Sequence, residues 1–172
     1  QGDRIPAQQQ RGGQSTRPKS IQISAIEEWG RIENGLRAIR KKFPEAIISV
    51  DTFYAEVAER AVYEGADIIN DISAGTLDKN MFATVAKLQV PYVLMHMQGT
   101  PQTMQENPQY TFVVAEVLRD FSKKINELRA MGVNDLIIDP GFGFGKSVKH
   151  NFKLLNHLAD FALLELPVLV GI

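Results

Sequence analysis

Polar residues follow short apolar runs at several points along the chain, and their side chains could bind a polar ligand. Asp51 follows ISV, Asn70 follows II, His96 follows YVLM and Asp139 follows LII. A carboxylate accepts two parallel N–H donors and a side-chain amide both donates and accepts, which suits a heterocycle with mixed edges. If the runs are strands of one parallel barrel, these residues converge on one rim.

Some of these residues also have a structural explanation. Asp51 could cap the helix that follows it, although Thr52 could do so instead. Asn70 could close its strand with an Asx turn, and the sequence does not decide between that turn and ligand binding. Asp71 alternates to the opposite face, where we expect a packing role.

Two methionines flank His96 at the end of the third apolar run. Met95 could form an apolar wall for a flat ring, or it could belong to the ordinary core. A single histidine is more often structural than catalytic, and His150 and His157 lie on a later predicted helix. We therefore expect no zinc site.

A glycine-rich segment, DPGFGFGK, covers residues 139–146. Lys146 places a charge at a predicted helix entrance, but the segment lacks the G-x-x-x-x-G-K-[ST] pattern, so nucleotide binding is not assigned. Phe142 and Phe144 are hard to explain as core, and a mobile loop that stacks on an aromatic substrate explains them better. Asp139 could accept two parallel donors from a 2-amino-4-oxo heterocycle.

An early loop, residues 11–20, carries Thr16, Arg17 and Pro18. Arginine binds a phosphate oxyanion through two N–H groups, and threonine adds a hydroxyl beside it. On these residues alone a solvated turn is the simpler explanation.

The elements that must position these residues alternate along the chain. The first predicted helix begins at Ser24, whose spacing to Glu27 is that of a capping box. Its apolar stripe is Ile26, Trp29, Ile32, Leu36 and Ile39. The predicted strands are residues 46–50, 68–69, 92–95, 136–138 and 168–170, and the later helices are about 53–64, 77–88, 111–131 and 150–158. Short, continuously apolar strands between helices predict parallel α/β structure. We favour a barrel over an open sheet because polar residues follow one strand after another.

Composition narrows the classes of protein. The chain has 172 residues, 44% of them hydrophobic, a formal net charge of -1 and no cysteine. A packed core is therefore expected, disulfides and thiolate metal sites are excluded, and nothing indicates nucleic-acid binding. We expect a cytoplasmic protein without a membrane span, with residues 1–10 as a polar tail or loop and residues 11–172 as one βα domain.

Together these segments resemble the dihydropteroate synthase family of folate biosynthesis. The matching motifs are GGQSTRP (12–18), ISVDT (48–52), IIND (68–71), LMHMQGTPQTM (94–104) and DPGFGFGK (139–146). The resemblance implies a pterin-binding TIM (β/α)8 barrel that condenses 6-hydroxymethyl-7,8-dihydropterin pyrophosphate with 4-aminobenzoate, releases pyrophosphate with the help of Mg²⁺, and forms a homodimer.

The resemblance also implies roles for individual residues. Those implied to bind the pterin are Asp51, Asn70, Met95 and Asp139. Those implied to lie near the pyrophosphate and the aminobenzoate are Thr16, Arg17, Pro18 and Phe144. Asp51 and Arg17 are implied to take part in catalysis.

The chain departs from the family pattern at both ends. The first strand, whose loop carries an asparagine that helps to hold Mg²⁺, is not recognisable; AQQQR stands where the second strand is expected; and the segments after LVGI are not in the sequence. We therefore expect a partial barrel without strands 1, 2 and 8, exposed sheet edges, and little activity from these residues alone. The alternatives are a pterin-dependent methyltransferase domain, a catalytically silent pterin-binding homologue and, with least support, an open-sheet nucleotide binder.

Overall fold

The computed structural model describes residues 22–104 and 107–171, in which helices and strands alternate. In chain order the elements are α1 Ala25–Lys42, β1 Ser49–Asp51, α2 Ala55–Tyr63, β2 Ile68–Asp71, α3 Met81–Leu88, β3 Tyr92–Met95, α4 Val113–Ala130, β4 Leu136–Asp139, α5 Val148–Asn156 and a 3₁₀ helix Leu158–Leu164. The predicted alternation is confirmed, and β3 has the predicted bounds.

The strands form one parallel sheet in the order β1-β2-β3-β4. Each strand pairs with the one that precedes it in the chain, so within the described residues the order never reverses. An open doubly wound sheet binds its ligand where the order reverses, whereas a barrel winds in one direction only. The strand order therefore supports the barrel.

The main core lies between the sheet and the helices. From the sheet, Ile69, Leu94 and Ile138 are fully buried, and from the helices so are Val57 and Phe121. Each side chain of this kind contributes about 1.5–3 kcal/mol when it is removed from water. The helices thus cover one face of the sheet and leave its other face and the strand ends to form a site.

The apolar stripe of α1 is only partly buried. Trp29 and Leu36 are buried, whereas Ile26 is 72% exposed and Ile39 is 43% exposed. At 100° per residue, Ile26 and Ile39 lie about 60–80° to either side of Leu36 around the helix. α1 packs against α2 with only the centre of the stripe buried, so the prediction is wrong at its margins.

Helix starts differ from the predictions where a cap comes from elsewhere. At α1 only half of the predicted capping box forms, because the Ser24 hydroxyl accepts from Glu27 N at 3.2 Å while the Glu27 side chain binds Arg31. The first N–H of α2, at Ala55, donates to the carboxylate of Asp78, which lies beyond β2 in the sequence. A distant cap of this kind cannot be read from the local sequence.

The predicted fifth strand is reduced to a single parallel bridge between Ile138 and Val168. This bridge still extends the sheet order in the same direction. No helix in the described part of the chain is long and apolar enough to cross a bilayer.

Candidate functional site

Asp51 and Asn70 meet at the carboxyl ends of β1 and β2. They are paired in the parallel register, so their side chains project from the same face of the sheet. The Asn70 amide donates to Asp51 Oδ1 at 2.9 Å. At the start of α2, Tyr54 N donates to the hydroxyl of Thr52 and not to Asp51. This favours the ligand-binding interpretation of Asp51 over the capping one.

The side-chain carbonyl of Asn70 is free to accept a hydrogen bond. Its Oδ1 atom is buried and has no hydrogen-bond partner among the described residues. An unpaired buried acceptor is costly unless a ligand or water supplies a donor. The Asx turn that the sequence left open is therefore not what Asn70 forms, and the geometry favours a ligand with N–H groups.

Met95 and Asp139 form a second register pair, at the ends of β3 and β4. Asp139 is 8% exposed, and its Oδ1 atom accepts from Gly141 N at 2.8 Å. Burial raises the pKa of the Asp139 carboxyl, although the Gly141 N–H and the Lys146 charge oppose this shift. Hydrogen-bond donors on a ligand would therefore stabilise the ionised form of this carboxylate, because they replace the water that burial has removed.

A small apolar cluster lies beside these polar groups and is separate from the main core. Its buried members are Phe53, Ile72 and Met95, and Met97 and Phe144 pack against it. Met95 therefore forms an apolar wall at the strand ends. The sequence reasoning missed Phe53, Ile72 and Met97, although alternation from Asn70 places Ile72 on the site face.

The two phenylalanines of the glycine-rich segment have different roles. Phe144 packs against the apolar cluster of the site, as a stacking role requires. Phe142 instead packs against the main core. The prediction that both rings would face a substrate is therefore wrong for Phe142, because the loop turns its ring inward.

Lys146 does not present its charge at the entrance of α5, contrary to the prediction. It is 2% exposed, and its Nζ atom donates to the carbonyl oxygens of His96, Gly141 and Phe144 at 2.9–3.0 Å. The entrance of α5 is capped by Ser147 and His150 in a capping box. The Lys146 charge is therefore not available to an anion at this helix entrance, and nucleotide binding, which the sequence did not assign, stays unassigned.

His96 lies on the helix side of its strand end and does not face the site. Burial and the Lys146 charge lower its pKa to about 3, so His96 is neutral at physiological pH. Its ring packs against Tyr110 and Phe121. The structural interpretation of His96 is confirmed.

Two glycines allow the glycine-rich segment to approach the loop after β3. Gly141 and Gly145 have φ values of +67° and +63°. A Cβ atom at Gly141 would collide with the carbonyl oxygen of His96, and one at Gly145 would collide with that of Gln98. These collisions and the left-handed backbone together require glycine.

Asp71 is structural, as alternation predicts. It is fully buried and accepts from Ser73 N and Oγ, from Gly75 N and from the Tyr92 hydroxyl, at 2.7–2.8 Å. Burial raises its pKa and these donors oppose the shift. The Asp71 carboxylate organises the turn after β2 and does not face the site.

Thr16, Arg17 and Pro18 lie outside the described residues, so the predicted anion loop and the catalytic role of Arg17 stay predictions. The described residues contain no group of three or more His, Asp or Glu side chains that could hold a metal ion.

Comparison with known proteins identifies relatives of nearly the whole chain. The family model described as "Pterin binding enzyme" matches residues 12–172. Dihydropteroate synthase of Haemophilus influenzae is 45% identical over 163 residues, which are 94% of this chain and 58% of that protein. Dihydropteroate synthase of Escherichia coli K12 is 44% identical over 162 residues, covering 93% and 57%. The chain therefore spans somewhat more than half the length of these relatives.

Solved structures of related enzymes match a similar share of the chain. Yersinia pestis dihydropteroate synthase in a sulfonamide complex has a TM-score of 0.88 at 39% identity and covers 92% of this chain and 58% of that one. The Xanthomonas albilineans enzyme with 4-aminobenzoic acid has a TM-score of 0.86 at 40% identity and covers 94% and 57%. The fold is thus the α/β barrel of these structures, in part, as predicted.

Proposed function

Because the chain belongs to the pterin-binding enzyme family, we propose that it is the pterin-binding part of a dihydropteroate synthase. The reaction condenses 6-hydroxymethyl-7,8-dihydropterin pyrophosphate with 4-aminobenzoate to give 7,8-dihydropteroate and pyrophosphate. One observation carries the proposal: Asp51, Asn70 and Asp139 project from one face of the sheet beside an apolar wall.

The site fits the two kinds of surface that a pterin offers. The 2-amino-4-oxo edge of the ring supplies N–H donors, which match the unpaired Asn70 carbonyl and the Asp139 carboxylate. The flat ring faces match the apolar wall that Met95 helps to form. Polar groups at the ring edge and apolar groups at its face are the usual composition of a small-molecule site.

The same residues favour the proposed chemistry. When the bond between the pterin methylene and pyrophosphate breaks, positive charge develops on the pterin. The carboxylates of Asp51 and Asp139 stabilise that charge because they are fixed in place before the reaction. The amine of 4-aminobenzoate then attacks the methylene carbon and loses a proton to solvent, so that charge and atoms balance.

The early loop carries side chains suited to binding the leaving group, pyrophosphate, and the second substrate, 4-aminobenzoate. We assign Thr16 and Arg17 to the pyrophosphate, because a guanidinium binds phosphate through two N–H groups. Pro18 and Phe144 are assigned to the aminobenzoate ring. Structures of relatives with 4-aminobenzoic acid and with 7,8-dihydropteroate support these substrate classes.

The proposal also includes Mg²⁺ as a cofactor and a homodimer, and both of these rest on the family resemblance alone. Since the described residues offer no metal-binding cluster, no step is assigned to the ion here. Light scattering of the protein would test the dimer.

The test measures binding before turnover, because binding depends on residues that the structure describes. Calorimetry should show affinity for the dihydropterin pyrophosphate and none for methyltetrahydrofolate; the opposite preference would indicate a methyltransferase. Because little activity is expected from these residues alone, turnover is measured in the full protein that contains this chain, where labelled 4-aminobenzoate should be converted to dihydropteroate with release of one pyrophosphate per turnover. Pterin binding by that full protein without pyrophosphate release would identify a catalytically silent homologue and contradict the proposal.

A further inference from the structure

The amino group of Lys146 joins two backbone segments that are far apart in sequence. Nζ lies 2.9 Å from the carbonyl oxygen of Gly141 and 3.0 Å from that of Phe144, both in the glycine-rich segment. It also lies 3.0 Å from the carbonyl oxygen of His96, directly after β3, and 3.0 Å from His96 Nδ1. A buried ammonium is tolerated when such acceptors replace its water.

These contacts lead directly to two residues of the site. The N–H of Gly141, whose carbonyl Lys146 holds, donates to the Asp139 carboxylate. The side chain of Phe144, whose carbonyl Lys146 also holds, packs against the apolar cluster of the site. The Nζ atom is therefore linked to the Asp139 carboxylate through Gly141, and to the Phe144 residue through its carbonyl oxygen.

We propose that Lys146 is a positioning residue: it locks the glycine-rich segment against the end of β3 and thereby orients Asp139 and Phe144 toward the ligand. The inference rests on the proposed function for the identity of the ligand. The lock itself rests on the contacts alone.

An acid–base role for Lys146 is less consistent with the geometry. Burial lowers its pKa to about 7, while the charges of Asp139 and Asp120 oppose the shift, and lysines of this kind can act in catalysis. An ammonium has only three N–H donors, however, and three backbone carbonyls already lie within hydrogen-bonding distance. None is left for a substrate.

The first test compares Lys146→Met with Lys149→Met, an exposed lysine three residues later. Amide hydrogen exchange is followed at Gly141 and Phe144, whose N–H groups donate to Asp139 and to Gly141 O. Lys146→Met should speed exchange there by about tenfold or more, because the local opening free energy falls, with β3 amides unchanged. Exchange equal to that of Lys149→Met would overturn the proposal.

The second readout is ligand binding. The dissociation constant for the dihydropterin pyrophosphate should rise by about tenfold in Lys146→Met and stay unchanged in Lys149→Met, because binding must then order the loop. If neither the original protein nor either variant binds a pterin while exchange is still faster in Lys146→Met, the proposed function fails and the lock stands. Faster exchange with unaltered pterin affinity would overturn the claim that the lock orients the site.

A third measurement needs no variant, in case Lys146→Met does not fold. Acetic anhydride labels amines, and mass spectrometry compares Lys146 with Lys149 in the unaltered protein. Bound dihydropterin pyrophosphate should slow labelling of Lys146 several-fold, because a ligand that contacts Asp139 holds the segment closed. If calorimetry shows the dihydropterin pyrophosphate bound and the labelling rate of Lys146 is still unchanged, the proposal is overturned.

Discussion

The Asn70 amide donates to the Asp51 carboxylate over 2.9 Å, and this bond fixes the orientation of the amide. With its N–H committed to Asp51, Asn70 must direct its carbonyl oxygen elsewhere, and that oxygen is buried without a partner among the described residues. Asp51 thus determines which hydrogen-bonding group Asn70 offers to a ligand. The pair offers a ligand an acceptor from β2 and a carboxylate from β1.

Asn70→Ala should weaken binding of the dihydropterin pyrophosphate by about 10–100-fold, which corresponds to about 1.4–2.8 kcal/mol. The variant removes both the acceptor for the ligand and the donor that orients Asp51. Calorimetry measures the change. Asn156→Ala, at an exposed position at the end of α5, is the matched control and should bind normally. Equal affinities for the two variants would remove Asn70 from the site.

Gly145→Ala should destabilise the protein more than Gly143→Ala does. Both glycines have positive φ, so both variants incur backbone strain. A Cβ at Gly145 would collide with the backbone of Gln98, whereas one at Gly143 would meet nothing within 4 Å. The difference in unfolding free energy should be at least about 1 kcal/mol in denaturant titrations. Identical denaturation midpoints for the two variants would show that the glycine-rich segment and the loop after β3 are not in contact.

Tyr92→Phe should cost about 1–2 kcal/mol of stability, because it removes a donor from a buried charge. The Tyr92 hydroxyl donates to Asp71 at 2.7 Å inside the protein. Tyr63→Phe serves as control, since Tyr63 is 71% exposed, and it should change stability little. Thermal unfolding of the two variants checks the expectation, and a Tyr92→Phe protein as stable as the control would contradict it.

Glu28→Gln should change how stability depends on pH. Neither Glu28 oxygen has a partner of good geometry among the described residues. Burial raises its pKa to about 6, an effect that Thr52 opposes. A raised carboxyl pKa means that the folded state binds more protons, so stability from this group is full below pH 4.5 and is lost as pH rises through about 6.

The consequence is a gain of up to about 2 kcal/mol for Glu28→Gln relative to the unaltered protein at pH 7, shrinking toward zero below pH 4.5. Urea titrations across that range measure it. Glu27→Gln, at an exposed position one residue earlier on α1, is the matched control. A difference independent of pH would mean that Glu28 is already paired when charged.

Much of the site follows from the linear order of residues. Asp51, Asn70 and Asp139 each end an apolar run, and the strands that contain them are parallel, so their convergence at one edge needs no further information. The same alternation correctly assigns Asp71 to the helix side, where it binds Tyr92. The alternation of residues in a strand and the periodicity of a helix each involve only a few neighbouring residues, so both can be recognised in the sequence.

The tertiary structure decided what depends on distant partners. Lys146 reads as an exposed charge before a helix, but it is buried because a carbonyl 50 residues earlier, at His96, completes its hydrogen bonds. Phe142 turns to the core and Phe144 to the site for a similar reason, since the packing of the loop after β3 against Gly141 and Gly145 sets the path of the segment. Contacts across such separations depend on how whole elements pack, and no local pattern encodes them.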